Sequence, residues 1–353
     1  MNLKYSLPYF VFVIVLLVGC SQDDDQPRGQ YDHGAFIVNE GGLGKSNGTV
    51  TYYNAATGPE ENILQLNTAG FTGDVVQSIS FSGDKGYVVL NGDNKIVLVQ
   101  SGTFADISTL SSEDIIAPRY VHVIGGKAYI SVWGPYDENY ALVDSYVLVY
   151  DVTHQTTVKK IDTDEGTENL TAAGNYIFAS NYNYGASNTV AVIRPSDDSL
   201  VKQIEVGAGP AGSVVDSNGK LWVVCAGMYG ATDGQLVRIN TASLEVEQTI
   251  GITAGQPGID IALSPDGQTL YYTVGISVYA LPVTATAEAP SPLFEAKDVT
   301  TLYSLDVEPA TGKIWIGDAL DYSAPGKVYI YTADGALAAS VAAGIAPGQV
   351  VFK

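Results

Sequence analysis

The sequence is poor in the residues that most often do chemistry. Its 353 residues hold two cysteines and three histidines. His33 precedes the first of the strands described below, His154 falls in a turn, and His122 lies within a strand. No two of them are placed to meet, which argues against a histidine-based metal site or a Ser-His-Asp set. Positive charge is scarce as well, with 17 Lys and Arg against 38 Asp and Glu and a net charge of −21. Such a surface repels phosphate backbones and anionic lipid, so nucleic acid is excluded as a partner. Long apolar runs are missing, except for Leu7 to Val18, which is too short for a full transmembrane helix. What is abundant is glycine (38) and tyrosine (23). This combination points to many short strands joined by many turns, in a chain long enough for a large core.

The N-terminus reads as a targeting segment. Lys4 gives a positive start, the apolar run follows, and Leu17-Val18-Gly19-Cys20 closes it. Those four residues resemble the bacterial lipobox, in which small residues admit the signal peptidase and the cysteine thiol carries the lipid. Residues 1–19 are therefore expected to be a lipoprotein signal peptide, and residues 20–34 a lipidated tether attached to a membrane through Cys20. One acyl chain anchors only marginally, so several are expected. Removing residues 1–19 loses only Lys4 and leaves −22. The acidic stretch Ser21-Gln22-Asp23-Asp24-Asp25 resembles the surface-export signal of lipoproteins in gut-type Gram-negative bacteria, which implies an outer-membrane protein displayed at the cell surface. The remaining cysteine, Cys225, lies in the apolar stretch Leu221–Ala226, where a thiol is buried as a small hydrophobe and no intrachain disulfide forms.

From residue 35 onward the sequence repeats. Strand-like segments recur at Phe36–Asn39, Tyr87–Leu90, Tyr129–Val132, Ile177–Ser180, Trp222–Cys225, Tyr271–Val274 and Ile314–Gly317, spaced 42 to 51 residues apart. A second strand follows each one: TVTYYN, KIVLVQ, SYVLVYD, TVAVIR, QLVRIN, ISVYAL and KVYIYT. A third follows in turn, including ILQLN at 63–67, TVKKID, LVKQIEV and VEQTIGI. A strand also precedes each repeat but the first, within VVQSISFS, RYVHVIG, ENLTAAG, AGSVVD, GIDIALS and YSLDVE. Four strands every 40 to 50 residues, seven times, predict an all-β, seven-bladed β-propeller over residues 35–353. The strand missing from the first blade sits at the other end as Pro347–Lys353, which echoes the blade start Pro257-Gly258. It is expected to complete the first blade and close the ring, removing an open sheet edge.

The fourth blade, YIFASNYNYGASNTVAVIRPSDDSLVKQIEVGAGPAGSVVDSNGKLWVV, resembles the YVTN repeat of surface-layer and YncE-type propellers. It has a strand ending in Asn, then NTV-V, then a Gly-Pro turn. The first blade opens FIVNEGGLGKSNGTVTYYNAATG. On a lipoprotein, that NEG-type opening resembles the BtuG-type proteins, which capture cobalamin at the cell surface beside TonB-dependent transporters. The resemblance implies a corrinoid ligand and a TonB-dependent transporter as partner.

Strand parity locates a working face. In a four-stranded antiparallel blade, the connections from second to third strand share one face with those that enter each blade. The opposite face carries short turns such as Gly83–Gly86 and Thr332–Gly335 and is expected to bind little. The longer loops, 39–48, 133–144, 181–187, 227–233 and 317–325, lie on the first face, where a rigid scaffold concentrates binding groups. They hold Trp133, Tyr136, Tyr140, Asn181, Tyr182, Asn183, Tyr184, Tyr229, Asp321 and Tyr322. Arg119, Tyr120 and Tyr303 sit at strand tops on the same face. Tyrosine offers an apolar body with a hydroxyl tip, and asparagine offers both donor and acceptor, so this set is expected to form a ligand surface.

An enzyme is not expected. Asp260, Asp306 and Glu308 are candidates for a carboxylate site near the channel, but alignment of their strands puts Asp260 and Asp306 at different depths. Asp137, Glu138, Asp144 and Asp321 offer carboxylates for calcium without diagnostic spacing. No cofactor or metal is expected. The expected function is capture of a small molecule, cobalamin foremost. A propeller scaffold that docks a surface protein without its own ligand is the alternative, and a propeller hydrolase or lyase is a third.

Overall fold

A computed structural model of the chain describes residues 29–64 and 73–353. The expected signal peptide, Cys20 and the tether up to residue 28 lie outside the described residues. The described chain forms seven four-stranded antiparallel sheets arranged as the blades of a propeller. The inner strands, from blade one to blade seven, are Pro347–Phe352, Val76–Ser82, Pro118–Ile124, Thr167–Ala173, Pro210–Val215, Pro257–Leu263 and Leu302–Val307. Blade one is composite: Pro347–Phe352 pairs with Ala35–Asn39, with Val350 opposite Ile37 and Val351 opposite Phe36. The ring is thus closed by strand pairing between the two ends of the described chain.

The second strand of each blade is a run of apolar residues because both its faces are packed. In Ala35–Asn39 every residue is buried. With a two-residue period, Phe36 and Val38 face one way and Ala35 and Ile37 the other. Phe36 and Val38 pack with Val88, Leu90 and Phe104 of blade two, whereas Ala35 and Ile37 pack with Trp315, Val328 and Ile330 of blade seven. Seven such clusters fill the seven seams between neighbouring blades. Outer strands are polar, and Thr156–Asp162 buries only Ile161.

Side chains of the inner strands stitch blade to blade around the channel. Gln349 accepts from the Ile79 amide at 3.0 Å, and the Ser78 hydroxyl donates to the Arg119 carbonyl at 2.6 Å. Thr171 donates to the Ser213 carbonyl at 3.1 Å, and Asp260 accepts from the Leu305 amide at 3.1 Å. Asp306 accepts from the Val350 amide at 2.8 Å, tying blade seven to the closing strand.

Two details depart from the sequence reading. The outer strand of blade one is Gly58–Glu60, not the ILQLN stretch; of the latter only Ile63 and Leu64 are described, and both are buried in the seam between blades one and two rather than in a strand. The packed body also begins ahead of residue 35, because Tyr31 is buried with its ring 4.8 Å from that of Tyr52 and 6.0 Å from that of Phe104. No described helix is long and apolar enough to cross a membrane.

Candidate functional site

The lip of the channel on the loop face is built from one position of the repeat. Gln77, Arg119, Glu168 and Tyr303 are each the second residue of an inner strand, in blades two, three, four and seven. Adjacent blades bring them within reach of one another. The Arg119 guanidinium donates to both carboxylate oxygens of Glu168 at 2.8 to 3.1 Å and also to Gln77. Gln77 passes the chain on to Glu40 at 3.3 Å, and the Tyr303 hydroxyl donates to Glu40 at 2.6 Å. Blades five, six and one place Ala211, Gly258 and Gly348 at this position, where little or no side chain reaches across. At Gly348 a Cβ would lie 2.7 Å from the Glu40 carboxylate, which would have to shift from its present place.

Aromatic rings are mounted on this polar chain. Trp133 donates its indole N–H to Glu168 at 2.8 Å and lies under the Arg119 guanidinium, 4.0 Å from ring centroid to Cζ. The Tyr184 ring meets Trp133 edge-on at 5.3 Å and lies 5.8 Å from Tyr182, and its hydroxyl is 3.4 Å from that of Tyr136. Across the mouth, Tyr322 packs edge-on against Tyr303 at 5.3 Å. Tyr136, Tyr140, Tyr184 and Tyr322 leave about half or more of their surface to solvent, at 47, 87, 58 and 52%. Tyr140, Tyr184 and Tyr322 have φ of 62°, 51° and 60°, the left-handed region that bulky residues avoid.

The expected site residues divide accordingly. Tyr136, Tyr182 and Tyr184 come together with Trp133 and Arg119, and Tyr303 with Tyr322. Tyr140 stands alone at a loop tip. Tyr229, 92% exposed, lines a separate concavity of about 440 Å³ with Thr232, Asp233 and Gln256. Tyr120 packs against the cluster in the seam between blades three and four, where burial pushes its hydroxyl well above the usual range. One expectation is corrected, and others gain a structural part. Asn181 is fully buried; its amide donates to Thr189 at 2.9 Å and its oxygen accepts from Thr167 at 3.3 Å, so it locks the root of its loop. Asn39 is equally buried in blade one, where its amide donates to the hydroxyls of Thr49 and Thr51, and so the strand-ending asparagine is a structural residue in both blades. Asp321 accepts from the Ser323 and Ala324 amides and shapes its own turn. Trp133 and Arg119 form the underside of the aromatic surface, with Trp133 only 6% exposed.

Sequence reasoning missed Glu40, Gln77 and Glu168. Burial pushes the Glu40 carboxyl up, against the pull of Arg119. Deeper in the channel, burial raises Asp260 to about 7 and holds Asp306 well above the usual carboxylate range, with Asp260 adding repulsion. These two occupy successive levels, since Asp260 bonds the amide of the residue before Asp306. The opposite face is also less plain than expected. Two concavities of about 480 and 520 Å³ open there, in the seams between blades seven and one and between blades three and four. Among the described residues no group of three or more His, Cys, Asp or Glu is arranged to hold a metal ion.

A family model described as a domain of unknown function (DUF5074) matches residues 33–336. The chain belongs to the DUF5074 family. No curated protein matches it significantly in sequence. Among solved structures, this DUF5074 propeller is similar to a quinoprotein alcohol dehydrogenase-like protein from Bacteroides thetaiotaomicron, with a TM-score of 0.72 and 13% identity over 91% of this chain and 78% of that one. It is also similar to hydrazine synthase of Kuenenia stuttgartiensis, with a TM-score of 0.59 and 15% identity over 76% and 87% of the two chains. The WD40 domain of Neurospora crassa Pan2 gives a TM-score of 0.58 and 13% identity over 82% and 84%. At these identities the likeness establishes the propeller fold and nothing about activity.

Proposed function

We propose that this propeller captures a small, amide-rich molecule on its loop face, with cobalamin the leading ligand. In this reading it acts as a lipid-anchored protein of the outer-membrane surface that hands its ligand to a TonB-dependent transporter. The observation that carries it is the exposed tyrosine array of Tyr136, Tyr184, Tyr322 and Tyr140, three of them on left-handed backbone. Left-handed backbone at bulky side chains that stand exposed is consistent with a selected surface. Cobalamin is a broad disc edged with amides, and an open aromatic face suits it better than a narrow pocket does. Ring contact contributes roughly 25 cal/mol per Å² of apolar area buried, and each hydroxyl-to-amide bond about 0.5–1.5 kcal/mol net. The narrower resemblance to BtuG-type lipoproteins, the cell-surface location and the transporter belong to this proposal and rest on the N-terminal and first-blade motifs. A non-enzymatic role belongs to it too.

The test is calorimetric titration of the chain with cyanocobalamin, repeated on Tyr136→Ala/Tyr184→Ala. The double variant removes two exposed rings without touching the Arg119–Glu168 pair. It is expected to bind at least tenfold more weakly, about 1.4 kcal/mol. Absence of heat from any corrinoid would remove the ligand reading and favour a docking scaffold.

A further inference from the structure

We infer that the seam between blades seven and one, on the face opposite the tyrosine array, binds a neutral pyranose-type sugar ring. The observation is a concavity of about 480 Å³ at the place where the ring closes. That size falls within the range of small-molecule pockets. Its walls are mainly apolar and aromatic. Trp315 is held between two rings, with Tyr53 edge-on at 5.6 Å and Phe352 edge-on at 5.3 Å. All three line the cavity.

Polar groups at the rim decide the ligand class. His33 and Glu308 line the same cavity. Among the described residues, neither the His33 ring nor the Tyr53 hydroxyl has a hydrogen-bond partner; what His33 contributes to the fold is its backbone carbonyl, which accepts from Tyr52 and Asn54. Glu308 uses one carboxylate oxygen on Thr311. The ammonium of Lys353, the remaining charged residue of the lining, is taken up by Asp32 at 2.9 Å and Ser101 at 3.0 Å. A purely apolar ligand would make no use of the imidazole, phenol and free carboxylate oxygen set around the rim. An anion would face Glu308 within a chain of net charge −21. A pyranose presents what this lining lacks: an apolar C–H face for the rings and an edge of hydroxyls that both donate and accept.

The inference is independent of the loop-face reading and is tested by saturation-transfer NMR on the full chain. The probes are the methyl glycosides of glucose, galactose, mannose and N-acetylglucosamine at millimolar concentration. At least one should receive transfer at its ring protons. Ala310 lines the cavity from an exposed position, so Ala310→Arg fills the site without disturbing the core. It should weaken that glycoside at least tenfold with the melting temperature unchanged, and His33→Ala and Glu308→Gln should each weaken it severalfold. Absence of transfer to all four probes would overturn the inference. So would transfer of equal strength in Ala310→Arg, which would place any sugar elsewhere.

Discussion

Replacing Glu168 by glutamine isolates the work of one buried charge. The Glu168 side chain is 4% exposed and that of its partner Arg119 14%. Glutamine keeps the shape but has one acceptor oxygen where the carboxylate has two. It must also turn an N–H₂ towards the Arg119 guanidinium or the Trp133 indole N–H, both of which are donors. Removing one partner of a buried ion pair costs about 3–5 kcal/mol, because the other charge stays buried without compensation. Glu40 also attracts Arg119, and Arg119 keeps some contact with water. The cost therefore falls at the lower end, about 3 kcal/mol. Unfolding entropy for some 320 ordered residues is roughly 0.7 kcal/mol per kelvin, so the melting temperature should drop by about 4 °C. Thermal unfolding followed by tryptophan fluorescence measures this. The double variant Arg119→Leu/Glu168→Leu removes both charges and should recover only part of the loss, because the Trp133 indole N–H then loses its acceptor and the Glu40 carboxyl loses the attraction of Arg119. A Glu168→Gln protein melting within about 1 °C of the parent would refute the idea that this pair organises the channel lip.

The channel carboxylates make stability depend on pH. Burial raises Asp260 to about 7, above its unfolded value of 3.8, so the folded chain binds more protons than the unfolded chain between those values and loses stability as pH rises through that window. Asp260→Asn can still accept from the Leu305 amide. It should raise the melting temperature near about pH 8, with a benefit of up to about 4 kcal/mol that vanishes near about pH 4; a benefit equal at both values would contradict the assignment. Deleting residues 347–353 removes the strand that pairs with Ala35–Asn39 together with the bond from Val350 to Asp306, and exposes the inner sheet edge of blade one. The truncated protein should aggregate or melt far below the parent, and an unchanged melting temperature would defeat the closure model. Cys20→Ala should abolish incorporation of a palmitate analogue, whereas equal labelling would show that another residue carries any lipid.

The propeller was legible because its second strands are packed on both faces, which writes each of them as an uninterrupted apolar run, one per blade. Closure was legible because the last strand repeats the Pro-Gly opening of another blade. The outer strand of blade one was not, because Gly58–Glu60 is three residues containing Gly and Pro, with no β-propensity to mark it. The exposed tyrosines were legible as residues of long loops. Asn181 was misread from the same cue, since a loop-edge asparagine gives the same sequence signal whether it faces a ligand or, as here, locks two threonines beneath the loop.

The polar lip was hidden for a different reason. Arg119 and Glu168 are 49 residues apart, and Gln77 is 42 residues before Arg119. No local window contains the network, and read singly each residue is a polar group at a strand end. Each is nonetheless the second residue of its inner strand, so aligned blades place them in one column with Ala211, Gly258, Tyr303 and Gly348. A propeller turns such a column into a ring, and consecutive members of the column become neighbours across a seam. Opposite charges in successive blades therefore pair, as Arg119 and Glu168 do, and a glycine in the column leaves room for a loop side chain to enter, as Glu40 does beside Gly348. In a closed repeat the chemistry at the channel mouth is written down the columns of the repeat, and a motif search along the chain passes over it.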